Sequence, residues 1–336
     1  MRIATEEAFA TPALIGAWRK LLDDGAPGES GFKLLIGFFL NPGVERAAII
    51  GEQLLDLGEL RLKHMDEGGV DKQLIFITSP GVQVFAADLG RRLAEEANDI
   101  LSGAVRAHPD RFDGLAAIAP QAPDDAAKEL ERAKGLGLKG VVINSHTKGE
   151  YLDNAAYRPI LEAAESLGMP IYIHPRNPPP SMLQPFAERH LERSLWGFQT
   201  ETALHALRMI VSGVFDDFPK LKIVLGHLGE GLPFWLDRID RHFSWGANSG
   251  DTVPFWTAKR PPGEYFLENF YITSSGHNWD PAVRFVEEVV GEDRLMFAVD
   301  YPYENCRAQV DQAGAITLKN PEKFYHLNAE RVFKLN

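Results

Sequence analysis

The chain holds a single cysteine, Cys306, in 336 residues. That excludes an intrachain disulfide framework and a zinc site built from thiolates. Basic residues are in deficit, 35 against 47 acidic ones, for a formal net charge of -12. Nucleic acid and anionic membranes both require a basic surface, so neither is expected as a partner. No run reaches about 18 apolar residues and no charged-then-apolar leader opens the chain, which points to a soluble cytoplasmic protein. A Gly-x-Gly-x-x-Gly turn after the first apolar strand is also missing, which weighs against a dinucleotide-binding fold. With no repeat, low-complexity segment or dividing linker, a single domain over residues 1–336 is expected.

What the chain does contain is enough apolar sequence for a sizeable core, 45% hydrophobic residues against 24% charged. Short apolar runs alternate with stretches of helical period. Strands are expected at 2–9, 73–78, 114–119, 139–144, 170–174, 222–227, 270–273 and 295–299. Helices are expected at 13–23, 44–67, 89–107, 123–135, 155–167, 200–212, after Gly231 and at 280–290. Strands separated by helices pair in parallel through right-handed crossovers. Eight such units in this length favour a closed (β/α)₈ TIM barrel, with the segments around 24–45 and 244–263 as short insertions on it.

In such a barrel the C-terminal ends of the strands share one rim. Leu295-Met-Phe-Ala-Val-Asp300 is an apolar run ending in a carboxylate, and Pro302 follows at once. Reading the other strand ends in the same way adds Glu6, Thr78, Asn144, His174 and His227. Buried charges gathered in one place require a cation or a proton. Two imidazoles and two carboxylates therefore make a candidate divalent-metal site with oxygen and nitrogen ligands.

Glu6-x-Ala8-Phe9, His174-Pro-Arg-Asn-Pro178, Gly226-His-Leu-Gly-Glu230 and Asp300-Tyr-Pro302 resemble motifs of the amidohydrolase superfamily, in its branch of non-oxidative aromatic acid decarboxylases. The likeness runs nearly end to end. It implies one divalent metal, manganese first with zinc or magnesium as alternatives, held by Glu6, His174 and Asp300. Ala8 departs from the His-x-His of the wider superfamily, and Asn144 stands where binuclear members carry a carboxylated lysine. The resemblance further implies a proton relay of Asp300, His227 and Glu230. Arg46, Thr78, Phe198 and Tyr303 would contact a small aromatic carboxylate, and Arg238 would reach the site of a neighbouring subunit in a homodimer or homotetramer. The implied activity is decarboxylation of an ortho-hydroxybenzoate, 5-carboxyvanillate or a methoxylated relative, with 2,3- or 2,6-dihydroxybenzoate next. A metal-dependent hydrolase of a lactone, amide or ester is the rival chemistry. Arg176 and Asn177 are read as supports for the His174 loop. His64, His108, His146, His190, His205, His242 and His326 are read as structural, and the role of His277 stays open.

Overall fold

The computed structural model describes residues 1–41, 43–247 and 256–335. Nine strand segments occur among them: β1 (Ile3–Phe9), β2 (Lys72–Ile77), β3 (Phe112–Gly114), β4 (Ala116–Ala117), β5 (Val141–Asn144), β6 (Ile171–His174), β7 (Ile223–Leu225), β8 (Phe270–Thr273) and β9 (Leu295–Met296). They pair in parallel in the order β1-β2-β3 and β4-β5-β6-β7-β8-β9. β3 and β4 replace the single strand expected at 114–119, because Leu115 marks a change of partner. Its N–H donates to Ile75 O at 2.9 Å, whereas the N–H of Ala116 donates to Gly140 O at 2.8 Å.

The far edges also meet. Thr5 N–H donates to Phe297 O at 3.1 Å, Asp300 N–H to Glu6 O at 3.1 Å and Ala8 N–H to Tyr301 O at 2.7 Å. These bonds tie β1 to the segment after β9 and close the ring of parallel strands into a (β/α)₈ barrel. β1, β2, β5 and β6 are buried on both faces, as parallel strands wrapped by helices must be.

The outer helices follow apolar spacing. In Ala87–Ala107 the buried Leu93, Ala97 and Leu101 recur every four residues and face the strands. A Cβ at Gly114 would sit 2.7 Å from Leu101 Cδ2, so any larger residue there would have to push Leu101 aside. Burying a leucine such as Leu101 contributes about 1.5–3 kcal/mol. One apolar cluster extends from Ile3 to Leu335. Among the described residues no helix is long and apolar enough to cross a membrane.

Several local expectations are revised. The helix expected at 44–67 is two, Glu45–Leu55 and Glu59–Gly68. Asp56 separates them by accepting the N–H of Gly58 at 3.0 Å and of Arg61 at 2.8 Å through Oδ1. The segment read as an insertion at 24–45 contains the helix Ser30–Phe39, anchored by buried Phe32, Leu35 and Ile36. Of the stretch at 244–263, residues 248–255 lie outside the described residues; helices Leu232–Ala247 and Pro262–Asn269 occupy its ends. His227 lies beyond the end of β7, in a turn where His227, Leu228 and Glu230 all have positive φ.

Candidate active site and metal centre

Glu6, His174 and Asp300 bring one ligand atom each to within 4.8 Å of one another. Glu6 is buried on β1. Its Oε2 accepts the hydroxyl of Tyr172 and that of Thr273, the latter at 3.1 Å. Its Oε1 is buried with no donor, a costly arrangement for a carboxylate oxygen. The geometry leaves no room behind it, since a Cβ at Gly226 would come 2.5 Å from Glu6 Oε2.

His174 ends β6 with Nδ1 3.1 Å from Asn144 Oδ1. Nδ1 must carry the hydrogen, because Asn144 Oδ1 can only accept. Nε2 therefore turns a lone pair toward Glu6 Oε1, 3.4 Å away. Burial pushes the His174 pKa down to about 4, so a proton does not reconcile the two acceptors at neutral pH. A divalent cation between them would, and the nitrogen and oxygen donors suit one. The residues present fit a metal.

His227 stands beside this group. Its Nδ1 lies 2.8 Å from Glu230 Oε1, and its Nε2 lies 3.6 Å from Glu6 Oε1 and 3.9 Å from Asp300 Oδ2. Burial opposes a charge on the imidazole, but Glu230, Glu6 and Asp300 outweigh it and hold the His227 pKa well above its ordinary value. Asp300 shows the reverse balance. Burial pushes its pKa up to about 7 against the pull of His227. A cationic imidazole next to a carboxyl that titrates near neutrality can pass a proton.

Two cavities open from the cluster. One of about 300 Å³ is lined by His174, His227 and Asp300, by the rings of Phe38, Phe39, Phe198 and Tyr303, and by Arg46 and Arg193. Its aromatic walls and paired guanidinium groups suit a ring bearing negative charge. Thr78 lies behind this wall rather than on it, its Oγ1 2.5 Å from the Tyr303 hydroxyl. The Arg46 Nη2 donates to Tyr303 O at 3.2 Å. The second cavity, of about 1030 Å³, also borders His227, Glu230 and Asp300, and it is this one that Arg238 and His277 line. Arg238 and Arg46 thus face different spaces within one chain.

Arg176 pairs with Glu29 at 2.7 Å and donates to His146 O at 2.9 Å, holding the His174 loop from behind. His146 and His205 are buried and hydrogen-bonded, and burial keeps both neutral, His146 at about 2 and His205 at about 3. Sequence reading missed Arg193, Tyr172 and the role of Asn144. Tyr172 could have been found, since strand alternation turns positions 172 and 174 to the same side. Arg193 sits in an irregular stretch with no periodicity to give it a direction.

The fold and this cluster define the class. The amidohydrolase family model matches residues 46–335, and the chain belongs to that family. Within it, the chain is 39% identical over 295 residues to a gamma-resorcylate decarboxylase of Polaromonas sp., a match covering 84% of this chain and 89% of that one. A 5-carboxyvanillate decarboxylase of Novosphingobium aromaticivorans, solved with manganese and 4-hydroxy-3-methoxy-5-nitrobenzoic acid, superposes with a TM-score of 0.96 at 43% identity, over 100% of this chain and 96% of that one. A dihydroxybenzoic acid decarboxylase of Polaromonas sp. JS666, solved with manganese and 2-nitroresorcinol, gives 0.86 at 36%, over 100% and 97%.

Proposed function

We propose that this chain is a manganese-dependent, non-oxidative decarboxylase of an ortho-hydroxybenzoate, with 5-carboxyvanillate or a similarly methoxylated acid as substrate. The observation that carries this reading is the Glu6–His174–Asp300 cluster opening onto an aromatic-walled cavity that contains two arginines. Manganese held by the three ligands would supply Lewis-acid polarisation of the substrate's phenolate and carboxylate oxygens. Arg46 and Arg193 balance the remaining negative charge, and Phe198 and Tyr303 confine the ring.

Asp300, whose Oδ2 lies 3.9 Å from His227 Nε2, delivers a proton to the ring carbon that bears the carboxylate. The ring gives up aromaticity to form the new C–H bond. The bond to the carboxylate then breaks, its electron pair returns to the ring, and carbon dioxide leaves. His227, oriented by Glu230, returns a proton to Asp300 for the next turnover.

The likeness to a 5-carboxyvanillate decarboxylase across the whole chain supports the methoxylated substrate. The 39% identity to a gamma-resorcylate decarboxylase favours 2,6-dihydroxybenzoate as the second reading. Decarboxylation of 5-carboxyvanillate, 2,6-dihydroxybenzoate and 2,3-dihydroxybenzoate, assayed side by side with added manganese, separates them. No carbon dioxide from any of the three would sink the proposal.

The assembly is proposed as a homodimer or homotetramer in which Arg238 reaches a neighbouring site. Arg238 is exposed, and Phe234 and Trp235, four and three residues before it on the same helix, are 68% and 51% exposed. Apolar rings left in water beside an arginine suit an interface. The single core cluster supports one domain over residues 1–336.

A further inference from the structure

Asp300 has a backbone φ of +74°, a conformation unfavourable to a residue with a Cβ. The buried side chain of Glu7 is placed to hold it there. Glu7 Oε1 accepts the N–H of Val299 at 3.0 Å, and Oε2 accepts the N–H of Tyr301 at 3.0 Å. The N–H of Asp300 itself goes to Glu6 O at 3.1 Å. Three successive amides around Asp300 are therefore taken by two adjacent residues of β1.

The far side of Glu7 is fixed as well. Gln73 Nε2 approaches Glu7 Oε2 at 3.4 Å, and buried Arg61 donates to Gln73 Oε1 at 3.1 Å and to Ala8 O at 2.7 Å. Glu7 lines neither cavity at the site, so it cannot touch substrate. We infer that Glu7 is a positioning residue. By gripping both amides that flank Asp300, it sets where the Asp300 carboxylate lies relative to Glu6 and His174, and thereby the metal affinity and the aim of the proton. The inference rests on the proposed role of Asp300.

The position requires two acceptor oxygens. An amide in its place keeps the shape but offers one acceptor oxygen, and its NH₂ would oppose the N–H of Val299 or Tyr301, donor against donor. Glu7→Asp keeps two oxygens but withdraws them by one methylene.

Manganese titration of the purified chain, alongside thermal unfolding and kcat and KM for 5-carboxyvanillate at saturating manganese, tests the inference. Glu7→Gln is expected to weaken manganese binding roughly tenfold to a hundredfold, as loss of a support to a metal ligand commonly does. The kcat should fall at least about tenfold with KM changed less, the pattern of an interaction made in the transition state. A lower melting temperature with wild-type manganese affinity and kcat would mark a purely structural residue and overturn the inference. Should Glu7→Gln not fold, Glu7→Asp gives the same readouts, and wild-type values there overturn it equally. A wild-type protein that binds no manganese would sink the metal reading together with the inference; a wild-type protein that binds manganese, with affinity and kcat unchanged in both variants, would sink the Glu7 inference alone.

Discussion

Asn144 Oδ1 accepts the Nδ1–H of His174 at 3.1 Å, and the N–H of Asn144 is held in turn by Gln83 Oε1 at 2.6 Å. The first bond selects which imidazole nitrogen faces Glu6. Asn144→Leu removes it at similar volume. Manganese affinity, measured by competition with a chelator, is expected to fall roughly tenfold to a hundredfold; unchanged affinity would show that packing alone orients His174.

Asp300→Asn keeps the shape of the side chain but has no acidic proton to give. Carbon dioxide release and solvent deuterium incorporation at the vacated ring position should both drop about 10²–10⁴-fold or more, the usual worth of a general acid. Retained turnover would remove Asp300 from the proton path.

Arg46 and Arg193 face the smaller cavity together. A charge-assisted hydrogen bond to a carboxylate is worth about 1.5–3 kcal/mol, so Arg46→Met should raise KM by roughly 10- to 100-fold with less change in kcat. Arg193 is braced by Phe38, whose ring centroid lies 4.6 Å from the guanidinium carbon. A KM for Arg193→Met equal to wild type would assign it to the wall instead of the substrate.

If Arg238 completes a neighbouring site, then the Arg238 and the Asp300 of each site come from different chains, and a hybrid of an Arg238→Ala chain with an Asp300→Asn chain has one site that carries neither change. Mixing the two inactive variants after dissociation should restore about a quarter of wild-type activity in a dimer with random exchange. No recovery would place Arg238 in its own chain's chemistry.

Glu201 provides a pH test away from the metal ligands. It is buried, with Ser145 donating to its Oε1 at 2.8 Å, and burial pushes its pKa up to about 8 from the ordinary 4.5. A carboxyl with a raised folded-state pKa binds more protons folded than unfolded. Its contribution is present below about pH 4.5 and is lost as pH rises toward 8. Urea unfolding at pH 5 and pH 8 should show Glu201→Gln gaining stability relative to wild type at the higher pH, by a few kcal/mol at most. A constant difference between the two proteins would show that Glu201 is already ionised at pH 5.

Much of this was legible because a parallel barrel advertises itself. Its strands are apolar on both faces, so Glu6, His174 and Asp300 stand out as polar residues at strand ends. The convention that the rim is shared then brings them together. What was not legible lies where local pattern has no direction. His227 belongs to a left-handed turn after β7, not to the strand itself, and there its Nδ1 meets Glu230 Oε1. Arg193 and Thr78 show the same limit from opposite sides: one faces the pocket from an irregular stretch, the other hides behind Tyr303.

The sequence by itself determined the alternation of strand and helix, the residue types at the rim and the absence of thiolate or basic-surface chemistry, because periodicity and composition are local properties. The tertiary structure alone decided how the ring closes. Thr5, Glu6 and Glu7 meet residues 297–301 from the opposite end of the chain, and a seam between such distant segments depends on the register and twist of every strand between them. At that seam one carboxylate joins the metal cluster and its neighbour grips the backbone of Asp300.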